Sequence, residues 1–203
     1  EAQQIKLGKL IDQPMLGSAT LTLRTEGEWE KANLRGGVSL AVQQLTYNGY
    51  TYQDLSIEGT YAPHLYDAHL RVEDACLDMS LDGMVTLQDS PMVVVDMQCR
   101  QFDTYPLLQE DKRDARIRTH FNAKAAITGL EVEDIKGHVT IDSFFLATEL
   151  DSILMRQLQL YSSTNAEQKS ITLRSDYLNA QVDGSFRYSD IIPACQSLIH
   201  HYL

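Results

Sequence analysis

Leu34-Arg35-Gly36-Gly37-Val38-Ser39-Leu40 sets a template, apolar-x-Gly-x-apolar-x-apolar. It returns as Leu81-Asp82-Gly83-Met84-Val85-Thr86-Leu87, as Ile135-Lys136-Gly137-His138-Val139-Thr140-Ile141 and as Val182-Asp183-Gly184-Ser185-Phe186-Arg187-Tyr188. A partial copy is Ile57-Glu58-Gly59-Thr60-Tyr61. Gly36, Gly59 and Gly83 stand 23 and 24 residues apart, and Gly137 and Gly184 are separated by 47, as are Gly36 and Gly83. Repetition at such a period is the first thing a fold must explain.

Around the glycines the texture has period two, the signal of a strand with one buried face. Val38, Leu40 and Val42 alternate with Ser39 and Ala41, and Leu70 and Val72 with His69, Arg71 and Glu73. Leu55, Met79, Val93, Val95, Met97, Ile117 and Phe121 fall in the same kind of register, as do Leu158 and Leu160, and Ile171 and Leu173. Asn48-Gly49, Ala62-Pro63, Asp89-Ser90-Pro91 and Ser162 to Asn165 read as turns. Two strands of about ten residues with their turns fill such a period, so the unit reads as a hairpin. The expected fold is mainly β: an elongated, curved antiparallel sheet of hairpin units over residues 1–188. A short helix is expected near 104–110 and a C-terminal helix over 189–203, with Ser189 or Asp190 as its cap and Pro193 in its first turn.

The glycines share the parity of the apolar residues and so lie on the apolar face, where strand glycines mark bends, bulges or close approaches. Gly36, Gly59, Gly83, Gly137 and Gly184 therefore read as bend positions. Periodicity alone leaves open whether the apolar faces fill one another as a curved sandwich or line an open trough. A parallel β-helix also has rungs of this length, but the runs here are long and the turns are hairpin turns.

Composition narrows the function. The 203 residues carry 17 Lys plus Arg against 28 Asp plus Glu, a formal net charge of −11, with 43% hydrophobic residues. That balance speaks against nucleic acid as a partner and against electrostatic docking on an anionic membrane. Apolar runs are too short to span a bilayer as helices. The chain opens on Glu1 with strand-like sequence close behind, as expected of a piece of a longer protein.

Catalytic and metal motifs do not emerge. There is no nucleophile elbow, no dinucleotide fingerprint and no P-loop; Gly8-Lys9 runs into Leu10. His64, Asp67 and His69 straddle a turn and a strand start and read as a solvated hairpin shoulder, and Glu131, Glu133 and Asp134 as a solvated turn. Cys76, Cys99 and Cys195 are odd in number and widely spaced, so they frame neither a disulfide set nor a zinc site. No cofactor or metal is expected, and the chain is expected not to be an enzyme.

The segment Lys169–Tyr188, followed by Leu198-Ile199-His200-His201-Tyr202-Leu203, resembles TamB-type members of the AsmA-like proteins, in particular those of Bacteroidetes. Asp114 to Phe144 and Tyr47 to Gly59 are similar to the strand-Gly-strand units that recur in that family. The membrane-anchoring helix and the far C-terminal domain of the family have no counterpart in these residues. The resemblance implies a curled, β-taco-like sheet open along one side, in a periplasmic protein anchored to the inner membrane elsewhere in its chain. It implies a role in moving phospholipid between the two membranes and in outer-membrane biogenesis, with outer-membrane β-barrel assembly proteins as possible partners. The wall of such a trough would be Val38, Leu40, Val42, Leu55, Ile57, Leu70, Val72, Met79, Leu81, Val85, Leu87, Val93, Val95, Met97, Ile117, Phe121, Val139, Ile141 and Phe145. The competing expectation is an assembly module that binds client β-proteins by edge-strand pairing, with no lipid in its core.

Overall fold

Alternating sequence of this kind must bury one strand face and solvate the other, and consecutive short-looped strands pair as antiparallel neighbours. The computed structural model describes residues 2–6, 12–13, 15–30, 33–108, 115–129, 132–165, 168–190 and 193. Its strands are β1 (Ala2–Lys6), β2 (Leu16–Glu30), β3 (Asn33–Tyr47), β4 (Tyr50–Ala62), β5 (Leu65–Glu73) and β6 (Leu77–Thr86). They continue as β7 (Met92–Asp103), β8 (Arg118–Thr128), β9 (Lys136–Ala147), β10 (Ser152–Asn165), β11 (Gln168–Ser175) and β12 (Asn179–Gly184). All 12 form one antiparallel sheet in chain order, and β1 does not close on β12. At about 4.8 Å between strands, the sheet runs roughly 50 Å along its stacking direction.

The sheet is a single open layer. Its accessible surface is 14486 Å², half as much again as the roughly 9,600 Å² expected of a compact monomer of 22.9 kDa. Among the described residues the buried apolar side chains are Ala19, Val42, Val72, Cys76, Cys99 and Ala147. A sandwich with two filled inner faces would bury dozens, so the self-filled arrangement is not the one adopted.

Asn48-Gly49 makes the tight turn expected of it: φ is 48° at Asn48 and 84° at Gly49, and Tyr47 pairs with Tyr50 across it. The expected helix near 104–110 is a single 3₁₀ turn, Tyr105–Leu107, and a second lies at Val132–Asp134. Residues 188–190 begin a helix; most of the C-terminal helix expected over 189–203 lies outside the described residues.

The glycine interval does not correspond to one structural unit. Gly36 lies on β3 and Gly59 on the next strand, β4, whereas Gly83 lies two strands further on, on β6. Long strands β3 and β4 and short strands β5 and β6 yield similar intervals for one crossing and for two.

What bends the sheet is a line of backbone irregularities. The register slips between Thr20 and Leu21 on β2, between Asp78 and Met79 on β6, between Cys99 and Phe102 on β7 and between His120 and Asn122 on β8. Asp54 on β4 and Ser143 on β9 take left-handed backbone, with φ of 49° and 54°. Bulges bend and twist the strand that carries them. Aligned from β2 to β9, they form a crease across the sheet, about four residues from the turns at Asn48 and Thr148. A short wall rises on one side of the crease and a long wall on the other.

Candidate functional site: an open apolar trough

Residues directly paired across strands point to the same face, so the register assigns the faces row by row. At the crease, Leu21, Val42, Leu55, Val72, Met79, Cys99 and Phe121 are paired in one row. The next row along the long wall is Leu23, Leu40, Ile57, Leu70, Leu81, Met97, Ala123, Ile141 and Leu158. A third runs Val38, Gly59, Ala68, Gly83, Val95, Ala125, Val139, Leu160 and Leu173. A fourth runs Gly36, Tyr61, Tyr66, Val85, Val93, Ile127 and Gly137. The register thus gathers 16 of the 19 expected wall residues, and four of the five glycines, onto one face. Gly184 ends β12 opposite Lys169, in phase with Val182. Leu87 lies just past β6 and Ile117 just before β8, both partly exposed.

Phe145 is the departure. It pairs with His120 on the opposite face and stacks on its ring, centroids 5.0 Å apart. The bulge at Ser143 inserts one residue, so Phe144 takes the wall position and lies 6.4 Å from Phe121, ring to ring. The short wall carries Leu45, Tyr52, Leu77, Phe102, Leu146 and Ile153, which the expected set omits. Leu23, Leu158, Leu160 and Leu173 are also wall residues beyond that set. Their alternation with Thr22, Gln159 and Thr172 was the available signal.

From the crease up the long wall, burial is deepest at the crease, where Val72 is 3% and Cys99 4% exposed. It fades up the long wall, where Leu23 is 53% and Ile57 38% exposed. That gradient is the signature of side chains converging along a fold line and diverging toward an open rim. Of the glycines, Gly36, Gly59 and Gly137 are required by close approach. A Cβ on Gly36 would strike the Glu26 carbonyl and the Tyr61 ring, one on Gly59 would lie 2.8 Å from the Asp67 carbonyl, and one on Gly137 would strike the Ala126 carbonyl. Tyr61 lies across Gly36 and fills the gap that they leave. Gly83 has room for a methyl group.

The outer face is polar and several of its charges are paired. One row runs Arg24, Ser39, Glu58, His69, Asp82, Asp96 and Lys124. His69 Nδ1 lies 2.6 Å from Asp82 and Nε2 3.2 Å from Asp67, and these carboxylates raise the imidazole pKa, the Asp82 hydrogen bond first. Lys124 pairs with Asp96 at 2.9 Å, Arg116 with Asp103 at 2.5 Å, and Arg100 with Asp78. A shallow depression of this face lies among Arg24, Glu26, Ser39, Glu58, Asp67 and His69. No group of His, Cys, Asp and Glu among the described residues is placed to hold a metal ion. No helix among them is long and apolar enough to cross a membrane.

At the rim of the short wall, Asp74 organises the β5–β6 turn. It accepts hydrogen bonds from Tyr50 Oη at 2.6 Å, from the Cys76 N–H at 2.9 Å and from the Gln53 N–H at 2.9 Å. Burial pushes its carboxyl up, but these bonds outweigh burial and hold it below its ordinary value. Burial, then the Asp74 carboxylate, push the Tyr50 hydroxyl up and the Cys76 thiol to about 11.

No family model, no curated protein and no solved structure matches this chain. Its architecture is an elongated, open antiparallel sheet consistent with a β-taco-like trough, partly lined by apolar side chains.

Proposed function

We propose that the chain is a section of a lipid-carrying trough of the AsmA-like, TamB type, working in the periplasm between inner and outer membranes. One observation carries the reading: a contiguous apolar face spans the sheet, and among the described residues no second layer covers it. Monomeric proteins rarely leave so large an apolar surface uncovered unless something binds there. Acyl chains lie along the crease against Val42, Leu55, Met79, Phe121 and the rows above, while head groups stay at the wet rim. Affinity comes from removing chains from water, about 0.8 kcal/mol per buried CH₂. No single side chain is a site on this reading, and no bond is made or broken.

Edge pairing is the second reading. β12 pairs with β11 alone among the described residues, and β1 with β2 alone. Such edges accept a further strand from a client β-protein or from more of the same sheet.

Lipid extraction separates the two. Purified chain is extracted and its lipid identified by mass spectrometry, alongside Leu40→Arg and Val95→Arg, which set a charge on the long wall. Bound phospholipid that falls several-fold in both folded variants supports the trough. A lipid-free chain, or lipid retained equally in the variants, overturns it.

A further inference from the structure

Beyond β12 the chain turns back over the apolar face. Gly184, with φ of 144°, ends the strand. Four residues later the Tyr188 hydroxyl lies 2.7 Å from Ser162 Oγ and 3.4 Å from Thr164 Oγ1, both on β10. Ser162 pairs with Gly137 and Ile171 on the trough side of the sheet, so the segment crosses β11 on that side. Its end is held by Glu133, which precedes β9. The Glu133 carboxylate accepts the N–H of Tyr188 at 3.0 Å, the N–H of Ser189 at 3.3 Å and the Ser189 hydroxyl at 3.1 Å. Lys169 on β11 donates to the same carboxylate at 2.6 Å, and its Nζ lies 4.4 Å from the centre of the Tyr188 ring. Phe186 packs edge-on against Tyr188, 5.7 Å away.

We propose that residues 185–189 are a strap that closes the β9–β12 end of the trough against its own ligand. The inference rests on the trough reading and assigns it a regulated end. The strap lies on the face that acyl chains would use, so strap and ligand compete for β10 and β11. The hydrogen bonds that hold its end are polar, joined by the Phe186–Tyr188 ring pair, whereas the long wall below it is apolar. A latch of this composition can open without unfolding the sheet. A ligand shifts such an equilibrium only by its preference for the open form, and an acyl chain has that preference because the strap excludes it.

The test uses pyrene-labelled dodecanoic acid as probe and the amide exchange of Tyr188 and Ser189 as strap reporter, in the wild-type chain and in Glu133→Gln and Tyr188→Ala. Two variants on opposite sides of the latch guard against one failing to fold, which circular dichroism checks. Expected are faster Tyr188 and Ser189 exchange when the wild type is loaded, and several-fold tighter loading in both variants. Probe bound only by the variants also supports the strap. Wild-type loading with unchanged exchange and equal loading in the variants overturns the strap and leaves the trough standing. Absence of probe from all three proteins overturns the trough, and the strap with it.

Discussion

The Asp176 carboxylate accepts a hydrogen bond from the Arg156 backbone N–H at 2.6 Å, and its second oxygen meets the Arg156 guanidinium at 3.1 Å. Arg156 sits where β10 crosses the crease: its wall residues Met155 and Leu158 are three apart rather than two. Irregular backbone leaves groups without ladder partners, and here a carboxylate supplies the missing acceptor. Asp74 does the same for Gln53, beside the left-handed Asp54 of β4. Two turn aspartates on one rim therefore hold the crease at two places. Asp74→Ala is expected to cost about 1–3 kcal/mol, since three hydrogen bonds to a charged group are lost, from Tyr50, Gln53 and Cys76. Asp74→Asn keeps an acceptor and loses less. Urea unfolding of the two variants checks the order; equal loss would show that acceptance by Asp74 is not what matters.

Gly137→Ala is expected to destabilise strongly, by about 1–3 kcal/mol, because its φ of 143° suits glycine and its Cβ would strike the Ala126 carbonyl. Gly83→Ala, in the same sequence template, is expected to be neutral or to stabilise by up to about 1 kcal/mol, because its site is open and alanine restricts the unfolded chain. Thermal melts of the pair separate a glycine demanded by space from one merely repeated.

That contrast shows what the sequence carries and what it does not. Alternation fixes the face of Val38, Leu40, Leu70 and Leu81, because period two is a local property of an extended strand. The Asn48-Gly49 turn is equally local. Phe145 is misassigned by alternation because Ser143 slips the count, and neither Asp142 nor Ser143 is a residue type that announces a bulge. Whether the apolar faces fill each other is a matter of distant strands and cannot be read from any one of them. Glu133 reads as a solvated turn because its partners, Tyr188 and Ser189, lie 55 and 56 residues away.

Cys76 and Cys99 should be inert while the sheet is folded. Cys76 is 0% exposed, with its thiol at about 11, and burial likewise pushes Cys99 up. Thiolate is the reactive form, so at neutral pH iodoacetamide is expected to label neither until urea opens the sheet. Mass mapping of the alkylated peptides checks this. Labelling of Cys99 in native buffer at the rate of a free thiol would mean that the crease opens without global unfolding.

Acid should release the strap before it disturbs the crease. Glu133 is held at about 2, below its ordinary 4.5, first by the Lys169 ammonium, against a smaller opposing effect of burial, and then by the N–H groups of Tyr188 and Ser189. A carboxyl depressed in the folded state stabilises fully above its unfolded value and loses that contribution as pH falls through its folded one. The latch is therefore intact above about pH 4.5 and weakens progressively toward pH 2. Expected is a rise in Tyr188 and Ser189 amide exchange below pH 4.5, corrected for the intrinsic rate, with the amides of β6 and β7 still protected. Glu133→Gln should flatten that dependence, because its amide has no proton to gain over this range. A profile unchanged by the substitution would assign the acid sensitivity to other carboxylates, of which Asp74, Asp78, Asp103 and Asp176 are likewise held below their ordinary values.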